Sequence, residues 1–344
     1  MESSFRRIAC AGADDQDKRI DRILRIILPS LPLGIIYREI RKGRIRINSK
    51  KTDPGRHISK GDSIEIHRSL LPLLKMDIDN LNMPDVILSS VKKEDLFSLD
   101  IIFENSMILA VNKPAGIAVH QGSRRSNKGI AGKKETTLDE IVKSRYSEIT
   151  GRSLSFSPSP LHRLDKNTSG IILFGKSIEG ARIITELLRE KKIKKKYIAL
   201  LDRCLDAPAE WTDYLSHDTD RGIAISKTFE TGGRKAVTRA VPLLHSKQQT
   251  LAAVDMETGR YHQIRKQCAI HGHPLSWDRK YGSSGKAAES YILHCFSLKL
   301  ELTEKDKNPG FTLLTSPLPE SALKKLSKIF GQDEIENIFK NLSF

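Results

Sequence analysis

The stretch HRLDKNTSGIILF, residues 162–174, constrains the chain most, because it sets turn-forming residues directly before a continuous apolar run. Asn167, Ser169 and Gly170 favour turns, while Ile171 to Phe174 are apolar and partly β-branched, so the segment reads as a loop entering a strand. One aspartate, Asp165, is held in that loop. A second segment, MILAVNKPAG, reads as a buried strand running into a turn punctuated by Pro114 and Gly116. Thr137 with Glu140 makes a capping-box pair for a helix carrying Leu138, Ile141 and Val142, and Ser177 caps another through Ala181, Ile184, Leu187 and Leu188. Local periodicity thus supports mixed strands and helices in a larger domain starting near Ile101.

The first part of the chain has a different rhythm. KRIDRILRIIL, residues 18–28, places Ile20, Ile23, Leu24, Ile27 and Leu28 at helical spacing, and Pro29 stops it. A second helix over Leu33 to Lys42 ends at Gly43, and RIRIN then alternates as a strand and turns at Asn48-Ser49. A Gly61-Asp62 turn leads into SIEIH, another alternating strand. Arg38, Arg41, Lys42, Arg44 and Arg46 surround one helix-to-strand junction, where they can meet backbone phosphates or simply be solvated. Residues 69–98 lack a period and read as a linker, and the basic, Gly/Ser-rich insert at 121–135 reads as a loop that orders on RNA.

Charge narrows the partner. The 344 residues carry 58 Lys+Arg against 42 Asp+Glu, a net charge of +16, which favours a polyanion and nucleic acid first. The four cysteines, Cys10, Cys204, Cys268 and Cys295, are widely spaced and read as reduced thiols of a cytoplasmic protein. No signal peptide is expected, and no apolar run nears the roughly 20 residues a membrane helix needs. GxxxxGK[ST] and GxGxxG are both lacking, and His271, His273 and Cys268 do not complete a zinc spacing, so neither a cofactor nor a metal is expected.

Four segments carry the chemistry: NKPAGIAVHQG (112–122), LHRLDKNTSGIILFGKS (161–177), KKYIALL (195–201) and GRYHQIRKQCAIHGHPLSWDRKYG (259–282). In order and approximate spacing they resemble the signature segments of the RluA-type pseudouridine synthases. Likewise R-I-D-R-I-L, R-E-I-R-K-G-R-I-R-I-N and K-G-D-S-I-E-I resemble the alpha-L RNA-binding module of some ribosomal proteins and RNA-modifying enzymes. The resemblance implies an α+β catalytic domain over residues 99–320 with a mixed, mostly antiparallel sheet and a central cleft, an RNA-binding module at 14–68, a linker at 69–98, and a C-terminal helical tail at 321–344.

It also implies roles. Asp165 is the catalytic aspartate, acting by attack on the anomeric carbon or by removal of a neighbouring sugar proton. Tyr197 is the active-site tyrosine that stacks on uracil, Arg265 pairs with the aspartate and lowers its pKa, and Arg163 fills the space of a flipped base. Lys113 and His120 are scaffold or phosphate contacts. Tyr261 stands where the family usually has Thr, and Trp277 where it usually has Gly. The expected substrate is RNA, large-subunit ribosomal RNA first and transfer RNA second, and the expected state is a monomer. Two other readings stay open: a non-catalytic RNA-binding assembly factor, and a base-removing glycosidase, against which the lack of a second catalytic acid counts.

Overall fold

The computed structural model describes residues 4–74, 99–121, 135–147, 154–283 and 290–342. Among them the chain forms two units, one from residues 1–98, 139–159 and 175–181, the other from 99–138, 160–174 and 182–344. Of the expected linker, residues 75–98 lie outside the described residues, as do residues 122–134 of the basic insert.

In the small unit, β1 (Phe5–Cys10), α1 (Ile20–Ile27), α2 (Leu33–Arg41), β2 (Ile45–Ile47), β3 (Lys50–Lys51) and β4 (Ser63–His67) follow in order. The strands form one antiparallel sheet, β1-β4-β2-β3. The helical spacing read from the sequence is the buried stripe: Ile20, Ile23 and Leu24 of α1 and Ile36 and Ile40 of α2 pack on Ile45, Ile47, Ile64 and Ile66. Each such aliphatic side chain contributes about 1.5–3 kcal/mol on burial. Asn48 and Ser49 both have positive φ, 50° and 62°, as a tight turn between β2 and β3 requires. Strand β1 has no legible alternation, and its partner β4 lies more than fifty residues along the chain, with Arg6 opposite Ile66.

The large unit holds most of a second sheet, with two helices that begin or end in the small unit. In chain order come β5 (Ile101–Glu104), β6 (Ile108–Lys113), α3 (Leu138–Ser147), β7 (Ser159–Pro160), β8 (Ser169–Gly175) and α4 (Ile178–Arg189). They are followed by β9 (Ile193–Asp202), β10 (Ala209–Asp218), β11 (Ile223–Ser226), β12 (Arg234–His245), β13 (Gln249–Met256) and α5 (Gln263–Ile270). The last elements are β14 (Leu293–Leu300), β15 (Leu313–Thr315), α6 (Glu320–Phe330) and α7 (Gln332–Asn341). The sheet runs β11-β10-β12-β13-β9-β14-β8-β6-β5, with β15 on β14 and β7 on β8. Most pairings are antiparallel, and β14 with β8 is parallel.

The apolar run Ile171 to Phe174 is buried throughout because β8 lies inside this sheet. Ser177 caps α4 by accepting the Gly180 N–H at 3.0 Å. At the C-terminus, Leu326 of α6 and Ile335 of α7 pack on Ile198, Leu200, Leu251 and Phe296 of the sheet. No helix among the described residues is long and apolar enough to cross a membrane. The four cysteines are free, Cys268 and Cys295 buried, Cys10 and Cys204 exposed.

Candidate active site

Asp165 owes its position to two close approaches. In the turn ahead of β8, the Thr168 N–H donates to the Asp165 carbonyl at 3.1 Å, and the next-but-one residue, Gly170, lies against β14. A Cβ on Gly170 would stand 2.3 Å from the Cys295 carbonyl oxygen, and φ there is +108°, so only glycine lets the two strands meet. Behind the turn, Lys113 at the end of β6 is 0% exposed. Its ammonium donates to the carbonyls of Pro114, Ile117 and Lys166 at 2.9, 2.8 and 3.0 Å. That supports the scaffold role and removes the phosphate-contact role, since no solvent reaches the group. Burial pushes the Lys113 ammonium down to about 7, and the charge of Asp165 acts in the opposite sense.

Arg265 comes to the same place on α5. The helix seats itself through buried glutamines one turn apart. Gln263 donates to the Val237 carbonyl and Thr238 hydroxyl, and Gln267 donates to the Trp211 and Ala236 carbonyls. Arg265, between them in sequence, is held at three donor atoms: Nε and Nη2 donate to Asp278 at 2.7 and 2.9 Å, and Nη1 donates to Asp165 Oδ2 at 3.1 Å. Its guanidinium also lies 5.1 Å from the Tyr281 ring centroid and 4.5 Å from that of Tyr291. Burial opposes its charge, but the Asp278 hydrogen bonds and the neighbouring anionic groups outweigh that and raise its pKa.

His262 completes the carboxylate's surroundings. It precedes α5 in the left-handed region, φ +50°, and its Nε2 stands 3.5 Å from Asp165 Oδ2. Tyr281 Oη accepts the Ala224 N–H at 2.6 Å and lies 2.8 Å from His262 Nδ1. Burial and then the charge of Arg265 push the His262 pKa down to about 2, which keeps the ring neutral.

Oδ2 of Asp165 thus faces both Arg265 and His262, while Oδ1 accepts no hydrogen bond from the described residues. The side chain is 17% exposed, enough to meet a ligand. The expected lowering of its pKa by Arg265 is reversed in net effect. Burial raises the pKa more than Arg265 and Arg163 lower it, and the charge of Asp278 adds to the rise.

Tyr197 sits on β9 opposite Cys295 of β14 and is buried. Burial raises its pKa strongly, the hydrogen-bonded Cys295 and the charge of Asp165 push the same way, and the phenol stays protonated. Arg163 is exposed, with its guanidinium 5.4 Å from the Tyr261 ring. Asp165, Tyr197, Arg265 and Arg163 therefore all lie in the large unit around one turn. Asp278, His262, Tyr281 and Tyr291 were not singled out from sequence. Asp278 could have been found there only as an unexplained acid inside an otherwise basic segment.

The other expected cations belong to the small unit. Arg38 and Arg44 both pair with buried Glu39, at 2.9 and 3.2 Å, and the Arg46 guanidinium lies 3.8 Å from the Phe5 ring. Arg41 and Lys42 are exposed and make no ion pair among the described residues. No cluster of three or more His, Cys, Asp or Glu side chains among the described residues is arranged to hold a metal ion.

Residues 107–270, which include Asp165, Tyr197 and Arg265, match the family model described as RNA pseudouridylate synthase. The chain is 29% identical over 340 residues to the ribosomal large subunit pseudouridine synthase C of Escherichia coli strain K12, covering 94% of this chain and 96% of that protein. It is 29% identical over 328 residues to the protein of that name from Haemophilus influenzae, covering 91% and 92%. Human RNA pseudouridylate synthase domain containing 4 superposes with a TM-score of 0.51 at 19% identity, over 66% of this chain and 92% of that one, which shows a shared fold.

Proposed function

Because this chain belongs to the RNA pseudouridylate synthase family, we propose that it isomerises uridines of large-subunit ribosomal RNA, with Asp165 as the reacting carboxylate. The single observation that carries the site assignment is the asymmetry of that carboxylate. Oδ2 is engaged by the Arg265 guanidinium at 3.1 Å, and Oδ1 accepts no hydrogen bond from the described residues. Oδ1 is then the oxygen that meets the ribose of an everted nucleotide, either bonding the anomeric carbon or taking a sugar proton. Both routes require an ionised carboxylate, and Arg265 opposes the protonation that burial favours. Tyr197 presents an aromatic face to the uracil and keeps its hydroxyl proton. The glycosidic bond between uracil N1 and the anomeric carbon breaks, the uracil turns over within the site, its carbon five bonds that same sugar carbon, and the carbon-five proton is lost as N1 gains one.

The target class is supported by the bacterial relatives, whose names specify the ribosomal large subunit and which align over nearly the whole chain. Arg163 and the cations Arg38, Arg41, Lys42, Arg44 and Arg46 are assigned to RNA contacts, and the protein is read as a cytoplasmic monomer of two functional parts, an RNA-binding module and a catalytic domain. The test is a map of pseudouridine in total cellular RNA with and without the gene, read by carbodiimide adducts. Specific sites in large-subunit ribosomal RNA should disappear on deletion and return with the wild-type gene but not with Asp165→Asn. An unchanged map, or restoration by Asp165→Asn, would refute the assignment.

A further inference from the structure

A cavity of about 430 Å³ lies within the large unit, lined by Ser216 and His217 of β10, Arg234 of β12, and Gly259, Arg260 and Tyr261 ahead of α5. It communicates with the reacting group through rings. His217 is exposed and lies 3.8 Å, centroid to centroid, from Tyr261; Tyr261 stacks at 3.9 Å and 19° on His262; and His262 Nε2 faces Asp165. The Tyr261 hydroxyl donates to the Gly222 carbonyl at 3.2 Å, which fixes the middle of the ladder. The outer end of this ladder is an aromatic face, and the cavity wall carries two guanidiniums. Arg234 makes no ion pair among the described residues, and Arg260 is held by one hydrogen bond from Nε to the Lys235 carbonyl at 3.1 Å. Phe229, 71% exposed, stands on the hydrogen-bonded loop that also supplies Gly232 to the wall. A Cβ on Gly259 would meet nothing within 4 Å, so that wall opens onto space rather than protein.

We propose that this cavity is a subsite for the nucleotide adjoining the target uridine, its base stacked on the outer face of His217 and its phosphate bound by Arg234 and Arg260. An aromatic face joined to paired guanidiniums suits an unstacked base and its backbone phosphate. A volume of about 430 Å³ is of the size that holds a small ligand. The Tyr261 ring links the subsite to His262. Substrate choice by the neighbouring base, more than the isomerisation itself, is what the subsite adds.

This inference rests on the RNA-isomerase reading, and the experiment separates the two. Full-length wild-type, His217→Ala, Arg234→Ala, Gly259→Leu and Asp165→Asn proteins are titrated by anisotropy against a fluorescent single-stranded oligouridylate. They are then assayed on an unmodified large-subunit ribosomal RNA transcript, with thermal melts as the fold control. His217→Ala and Gly259→Leu should each weaken binding about tenfold and raise KM in proportion, with the saturated rate within about twofold of wild type. Arg234→Ala should also lower the salt dependence of binding by about one phosphate contact. Asp165→Asn should bind as wild type and form no product. Wild-type affinity in folded His217→Ala and Gly259→Leu, or a loss of saturated rate with no loss of binding, would overturn the subsite. If the wild-type protein forms no pseudouridine, the isomerase reading fails, while the oligouridylate titration still decides whether the cavity holds RNA.

Discussion

Asp278→Asn is the change that most directly probes how the Asp165 carboxylate is kept available for the proposed reaction. Asp278 accepts two hydrogen bonds from Arg265, at 2.7 and 2.9 Å, and its side chain and that of Arg265 are 2% and 7% exposed. An asparagine of the same shape offers one oxygen and one NH2 group, so one N–H of the guanidinium faces another donor. A charge-assisted bond is worth about 1.5–3 kcal/mol, and water cannot replace it at this depth, so stability should fall by about 3 kcal/mol. The effect on chemistry has a separate signature. Released from its anchor, the Arg265 fork can turn onto both oxygens of Asp165 and cover Oδ1, and a cost of about 2.7 kcal/mol there is a hundredfold in kcat. Removing the Asp278 charge also removes one cause that raises the Asp165 pKa, so that pKa should fall. The proposed reaction needs the ionised carboxylate, so the acid limb of the pH–rate profile should move to lower pH. The assay is single-turnover pseudouridine formation across pH, alongside urea melts. An unchanged rate, or an acid limb that moves to higher pH, would refute the argument, and simple loss of fold would not shift the limb of the remaining active fraction.

Other outcomes follow from particular contacts. His262 has a pKa pushed down to about 2 from an ordinary 6.5, so below pH 6.5 the unfolded chain takes up a proton that the folded one refuses. Its contribution is therefore present above pH 6.5 and lost as pH falls. Between pH 7 and pH 5 the wild type should lose about 2 kcal/mol that His262→Gln keeps, measured as the difference in urea midpoints. Gly170→Ala would place a methyl carbon 2.3 Å from the Cys295 carbonyl oxygen at φ +108°, and should cost more than about 3 kcal/mol or prevent folding of the large unit, read by circular dichroism and melting. Trp277→Gly relieves a residue at φ +68° but removes a ring packed against the C-terminal helices and 4.8 Å from the Lys325 ammonium. Strain relief of about 1 kcal/mol against about 2–3 kcal/mol of lost packing predicts a lower Tm, and a raised Tm would show that the backbone conformation dominates.

Periodicity was enough to find α1, α2, β2 and β4, because each buries a face whose spacing matches its own geometry. The turn before β8 was equally legible, since Asn167, Ser169 and Gly170 act locally and the following residues are apolar without interruption. Beyond such local signals the sequence falls silent. Strand β1 could not be found, because FRRIAC acquires its identity only from pairing with β4. The five cations near α2 look alike in sequence, yet Glu39 engages Arg38 and Arg44, while Arg41 and Lys42 make no ion pair among the described residues. Of the basic run at 189–196, Arg189, Lys192 and Lys194 turn out to pair with Glu186, Asp306 and Glu301.

What the chain offered by itself was a set of candidate groups, Asp165, Tyr197 and Arg265, named through the resemblance of their segments to a known family, which needs no long-range contact to be read. What the tertiary structure decided was their state. The sign of the Asp165 pKa shift depends on a competition between burial and Arg265, and the neutrality of the His262 ring on its burial and the charge of Arg265. The freedom of Oδ1 depends on Asp278 holding the other two donors of Arg265. Burial and charge add through space over a few ångströms, whatever the separation along the chain, and a linear sequence does not carry those distances.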